Sequence, residues 1–223
     1  MKLLKKIWNI SFFKTFIFNV AYFCPFFSKN GSWKLLFSVP VIVSRNVQLG
    51  NLKGTLHVEP NNRIILGFGE IDNFDSKYER AKWNNHGQIV FHGKAHIGPG
   101  CRINNHGKIV FGKNFGVSAN STIDCDKSIV FGDDVLCSWE ILIMDHDTHS
   151  IVNSLGKRLN ENKSIIIHNH VWICCRCTLL KGTNVAEGCV VASGATISNA
   201  CNEKNTIIGN FGNIIKRNIN WCR

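Results

Sequence analysis

Asp145, His146, Asp147 and His149 crowd four ionisable side chains into five residues. They open a polar stretch, residues 144–164, that reads MDHDTHSIVNSLGKRLNENKS. An imidazole titrates near neutrality, so it can take a proton from a hydroxyl and return one to a leaving group. A carboxylate on its other nitrogen would fix the tautomer and support the imidazolium. The residue types alone allow either histidine and either aspartate in those roles. They also allow a solvated loop whose polar groups cap turns. Loops on a rigid scaffold are where chemistry tends to sit, so the flanking sequence matters.

Those flanks repeat in sixes. From Ile165 to Ala200 the third place of each hexad is Ile167, Ile173, Leu179, Val185, Val191 and Ile197. Two places earlier stand Ile165, Val171, Cys177, Thr183, Cys189 and Ala195, small from Cys177 onward. A helix repeats its apolar face every ~3.6 residues and a lone strand every ~2, so a period of six fits neither. It predicts a coil of short strands turning a corner every six residues, each sending an aliphatic side chain inward. The register runs back through Phe91, Ile97 and Ile103, then Phe111, Val117 and Ile123, then Phe131, Cys137 and Ile143. Steps of eight, Ile103 to Phe111 and Ile123 to Phe131, predict one longer corner in each coil. The step of 24 from Ile143 to Ile167 leaves about 18 residues outside the coil. This gives three regular coils, a protruding loop over 145–164, then two more. Residues 60–87 are less regular, and an insertion is expected in the first coil.

This pattern resembles the hexapeptide-repeat acyltransferases, closest to sugar O-acetyltransferases of bacterial capsule and lipopolysaccharide clusters. Residues 170–199, HVWICCRCTLLKGTNVAEGCVVASGATISN, are similar to the family's Trp-Ile-Gly, Thr-Ile-Leu-Pro/Lys-Gly and Gly-Ala-Gly-Ser-Val-Val-Thr-Lys segments. Residues 207–221 are similar to its Gly-Asn-Pro-Ala-Lys-Val-Ile-Lys segment. The resemblance covers the chain from about residue 35 and implies an all-β fold, a left-handed parallel β-helix. It further implies an acetyl-CoA-dependent O-acetyltransferase, assembled as a homotrimer, acting on a sugar hydroxyl of a surface glycan. An amino-sugar N-acetyltransferase of the same fold and a non-catalytic glycan-binding β-helix are the alternatives.

Carried over residue by residue, the family's Asp-x-His falls on Asp147, Thr148 and His149, making His149 the general base and Asp147 its orienting acid. His146 and Trp172 would line the pocket. Ala192, Ser193 and Gly194 would lie along the pantetheine arm of the cofactor, with Ser198 and Lys216 toward its nucleotide. Cys174 and Ala192 stand where the family has glycine, and Phe211, Gly212 and Asn213 replace Pro-Ala-Lys, so phosphate recognition is expected to shift to Lys216 or Arg217.

Composition sets outer limits. The 223 residues carry 26 Lys and Arg against 15 Asp and Glu, a net charge of +11. The excess is uneven, for no Asp or Glu precedes Glu59. Such a surface suits anionic partners, and with no nucleic-acid-binding signature a glycan or coenzyme is expected instead. Of the ten cysteines, Cys137, Cys177 and Cys189 fall at inward repeat positions as small hydrophobes, and reduced thiols of a cytoplasmic protein are expected rather than a disulfide scaffold. Cys174, Cys175 and Cys177 lie near His168 and His170, yet no second Cys-x-x-Cys pair exists and no metal is expected. Residues 1–34 form a separate basic, aromatic segment ahead of the 35–223 domain. It lacks the apolar run of a signal peptide or membrane span. It is expected to pack as an amphipathic segment on the first coil, with contact to the inner face of a membrane as the alternative.

Overall fold

The computed structural model describes residues 9–69, 71, 74, 75 and 78–223. From Val41 the chain winds into three sheets of nine, seven and seven strands. Each turn contributes one strand to each sheet in the same order, so the coil is a triangular prism. The first coil is Val41–Val43 on sheet one, Val47–Leu49 on sheet two and Thr55–Val58 on sheet three. The last complete coil is Val190–Val191, Thr196–Ile197 and Ala200–Cys201. Within the three sheets the described strands pair in parallel except at the C-terminal end, where Ile214–Lys216 runs antiparallel to Ile207–Ile208.

The hexad register matches the interior. Ile167, Ile173, Leu179, Val185, Val191 and Ile197 are all fully enclosed, as are the small residues Cys177 and Cys189 between them. Corners fall on the sixth place, where His170, Arg176, Gly182, Gly188 and Gly194 all take positive φ. Glycine adopts that conformation without a Cβ penalty. Cys174 and Ala192, which replace family glycines, have negative φ, so those replacements cost no backbone strain.

Two coils precede the regular stretch. The irregular segment lies between Leu66 and Ala81, in the second coil rather than the first, where expectation put it. The longer corners join sheets two and three. Inside the prism, Phe91, Phe111 and Phe131 stack at 4.6 and 5.3 Å between ring centres. Burying rings of this kind contributes about 1.5–3 kcal/mol each.

At the corner between sheets two and three a polar ladder climbs in steps of 20 residues. Asn105 Nδ2 donates to Asn85 Oδ1 at 2.8 Å, and the next rungs are Cys125 and Asp145, with Cys125 Sγ donating to Asp145 Oδ2 at 3.5 Å.

The open end of sheet one is closed by helix α1, Phe12–Phe23. An exposed strand edge presents unpaired backbone groups, and this helix answers them with side chains. Val41 N donates to Asn19 Oδ1, Val43 N donates to Thr15 Oγ1, and Lys14 Nζ donates to the carbonyls of Arg45 and Val47. Phe18, Tyr22 and Phe23 are buried, and Trp83 Nε1 donates to Tyr22 Oη at 3.0 Å. A short helix α2, Trp33–Ser38, follows. No helix among the described residues is long and apolar enough to cross a membrane.

Candidate active site

The loop leaves the scaffold after Leu142–Met144 on sheet two and returns at Ile165–Ile167 on sheet three, within the fifth coil. Its first residue is part of the wall. Asp145 is fully buried, and its carboxylate accepts the backbone N–H groups of Asp126, Lys127 and Ser128 at 2.8, 2.9 and 2.6 Å. It is the top rung of the ladder begun by Asn85 and Asn105, and those three bonds compensate its burial.

His146 is also buried. Its Nδ1 accepts the Thr148 N–H at 3.1 Å, which places the proton of the neutral ring on Nε2. Nε2 lies 3.3 Å from Asp124 Oδ1, without hydrogen-bond alignment, and Nδ1 lies 3.6 Å from Asp126 Oδ2. His146 thus anchors the loop's root between two carboxylates.

Thr148 has φ of +61°, unusual for a β-branched residue. His149 N donates to Asp147 O at 2.6 Å across it, forming a three-residue turn of a kind that is rare and strained. The turn presents His149 outward. Its imidazole is exposed and makes no hydrogen bond with any described residue.

Asp147 does not reach that ring. Its Oδ2 accepts from Lys181 Nζ and from Asn160 Nδ2, the latter at 2.8 Å. The Lys181 hydrogen bond, with help from Asn160, holds the Asp147 carboxyl below its ordinary range. Asn160 also donates to His149 O at 2.8 Å, and its Oδ1 accepts from Ile151 N at 2.7 Å. Neither Asn160 nor Lys181 was picked out by sequence reading. Lys181 precedes the corner glycine Gly182, so its place on the edge beneath the loop follows from the hexad register.

The structure brings His149, Asp147, Lys181 and Ser198 to one edge of the prism, the corner between sheets two and three in coils five to seven. It sets Trp172 elsewhere. That residue lies on sheet one, the face opposite this edge, and its Nε1 donates to Ser138 Oγ at 3.1 Å. The C-terminal tail folds back beside it. Trp221 stacks on His170 at 4.3 Å and lies 6.0 Å from Trp172, while Arg223 donates to Val135 O.

Ala192, Ser193 and Gly194 form the corner between sheets one and two in the seventh coil. A Cβ built on Gly194 would meet nothing within 4 Å, so the corner is open. Ser193 Oγ donates to Cys175 O at 3.0 Å. Lys216 is exposed, whereas Arg217 is paired with Glu203 at 2.8 Å, leaving Lys216 the freer cation of the two. All ten cysteines are unpaired, and burial pushes the Cys174 and Cys177 thiols up to about 11. Among the described residues no group of three His, Cys, Asp or Glu side chains could hold a metal.

No protein-family model and no curated sequence matches the chain. Among solved structures it is similar to the polySia-specific acetyltransferase NeuO, at 22% identity over 79% of this chain and 72% of that one, with a TM-score of 0.52. The polysialic acid O-acetyltransferase OatWY also superposes, at 22% identity over 80% of this chain and 88% of that one, TM-score 0.44. So does AntD, an N-acyltransferase from Bacillus cereus in complex with dTDP and coenzyme A, at 15% identity over 80% and 81%, TM-score 0.44. The likeness to NeuO is one of fold. The chain is a left-handed parallel β-helix with an N-terminal helix, the architecture of the acyltransferases that its hexads resemble.

Proposed function

We propose that the protein transfers an acetyl group from acetyl-CoA to a hydroxyl of a bacterial surface glycan, with His149 as the general base. The observation that carries this reading is the His149 imidazole, without a hydrogen-bond partner among the described residues and turned outward by a strained turn that Lys181 and Asn160 hold at Asp147 and at the His149 carbonyl. His149 takes the hydroxyl proton as the acceptor oxygen attacks the thioester carbonyl. The carbon–sulfur bond then breaks, and His149 returns the proton to the departing thiolate. Transfer is direct. At the His149 corner the Cys125 thiol is buried and donates to Asp145, and at the corner between sheets one and two burial pushes the Cys174 and Cys177 thiols up to about 11, which makes these three poor candidates for an acyl-carrying nucleophile.

Asp147 serves at one remove, locking the turn to the scaffold through Lys181 and Asn160. The cofactor runs along the prism past Ser198 and the open corner at Ala192, Ser193 and Gly194, with Lys216 available to its phosphates. Trp172 and His149 lie on opposite sides of one prism, so a pocket lined by both takes one from each of two neighbouring subunits. A homotrimer supplies such a pocket three times. NeuO acts on polysialic acid, and the net charge of +11 here suits an acidic acceptor of the same kind.

The test is to incubate the protein with acetyl-CoA and a panel of neutral and sialylated glycans, following acetylated product by mass spectrometry. Acceptor-dependent product is expected, with the acidic glycans preferred. No product with any glycan would reject the reading.

A further inference from the structure

The prism end closed by α1 is lined on its outer side with aromatic rings. Phe12, Phe13 and Phe16 project from α1 at 70, 74 and 67% exposure. Phe26 and Phe27 follow in the turn, as exposed as these, and Trp33 and Phe37 are exposed on α2. Phe26 meets Trp33 edge-on at 5.6 Å, and Trp33 stacks with Phe37 at 6.1 Å, so these three rings are contiguous. The core does not need them, because α1 closes the prism with its other face, through Thr15, Phe18, Asn19, Tyr22 and Phe23. A soluble face of a monomer rarely keeps so many large apolar side chains together without a partner.

The charge around the patch indicates which partner. Lys29 and Lys34 are exposed among the rings, and no acidic residue occurs in the first 58 positions. Aromatic rings with interspersed lysines and no acids suit the headgroup boundary of an anionic bilayer, where rings sit at the acyl edge and ammonium groups meet phosphates. A second copy fits less well, since its own Lys29 and Lys34 would face like charge without an acid to pair. We propose that this end of the protein docks on an anionic membrane surface, lying on it rather than crossing it. Docked so, the fifth coil stands four strand spacings, about 19 Å, beyond the first. The loop would then meet a membrane-attached glycan some distance from its anchor. That consequence rests on the acyltransferase reading, whereas docking itself does not.

Flotation of the full chain with phosphatidylcholine–phosphatidylglycerol vesicles tests docking with neither acetyl-CoA nor acceptor present. Two variants are compared with wild type, one combining Phe12→Ser, Phe13→Ser and Phe16→Ser, the other Lys29→Glu and Lys34→Glu. These side chains are exposed, so melting temperatures should be retained, and a melt confirms it. Wild type is expected to float with the mixed vesicles and to bind roughly tenfold or more weakly to phosphatidylcholine alone or at ~1 M salt. Each variant is expected to lose roughly tenfold or more in vesicle affinity. Absence of wild-type binding, equal binding by folded variants, or indifference to lipid charge would overturn the proposal. So would a wild-type assembly, seen by sedimentation, that the serine variant dissolves while neither protein floats. Because no catalysis is read, loss of docking and loss of the acyltransferase reading remain separate results.

Discussion

Lys181 Nζ donates to Asp147 Oδ2 across the corner of the sixth coil, so the carboxylate two residues from His149 belongs to the scaffold's hydrogen bonding and not to the imidazole's. Asn160 completes the clamp by donating to both Asp147 Oδ2 and His149 O. A carboxylate that orients a catalytic imidazole directly and one that fixes its backbone make different demands on a mutant.

If Asp147 acts through the turn, Asp147→Asn and Lys181→Met should each lower kcat by about tenfold. The double variant should be little worse than either, because the two share one interaction. Stability should hardly change, since partly exposed ion pairs are worth roughly 0–1 kcal/mol. Steady-state rates of the three variants, with melting curves alongside, check this. A loss near 10⁴-fold in Asp147→Asn alone, with Lys181→Met almost unaffected, would instead mark direct support of the imidazole.

The same clamp sets a direction with pH. Asp147 has its carboxyl held below the ordinary value, so its contribution is fully present above the unfolded pKa of about 3.9 and fades only as pH falls through the lower folded value. Loop protection, followed by limited proteolysis around residues 150–160, should therefore persist to pH ~4. It should be lost earlier in Lys181→Met.

Asp145 should behave as a structural residue. Asp145→Ala removes the acceptor of three backbone N–H groups in a buried corner, and the cost is expected to be about 3 kcal/mol, visible as a drop in melting temperature of roughly 6–12 °C. Asp145→Asn should recover part of this, as asparagine fills the equivalent rungs at 85 and 105. A melting temperature unchanged in Asp145→Ala would contradict the ladder's role.

Subunit sharing has its own signature. Trp172→Ala and His149→Ala should each be nearly inactive alone, yet refolding the two together should restore about a quarter of wild-type activity if each site takes one residue from each of two neighbours. Mixtures no more active than their parents would place both residues' functions within one chain.

The coil was legible because every turn puts its inward side chain in the same surroundings, so Ile167, Ile173 and Leu179 repeat their type as well as their spacing. The corners were also written in the sequence, through Gly182, Gly188 and Gly194. The division of labour inside the loop was not. Asp145 and Asp147 look alike in a line of text, and only the 20-residue series Asn85, Asn105, Cys125, Asp145 separates the wall residue from its neighbour. Lys181 and Asn160 were hidden because their roles depend on where the loop folds back, which no period encodes. Trp172 was assigned to a pocket by resemblance, and its face of the prism emerged only once the strands could be assigned to sheets. The N-terminal segment gave its basic, aromatic character at once. What could not be read was that Thr15 and Asn19 would pair with a strand edge while Phe12 and Phe13 turned outward.

The most direct measurement is release of free coenzyme A from acetyl-CoA, with and without a glycan acceptor, in wild type and His149→Ala. Chromatography with mass detection is the suitable readout, since ten free cysteines would react with a thiol dye. The account predicts acceptor-dependent release by wild type and a loss of about 10²-fold or more in the variant, with the fold intact. Equal rates in the two proteins would remove His149 from the chemistry and contradict the account.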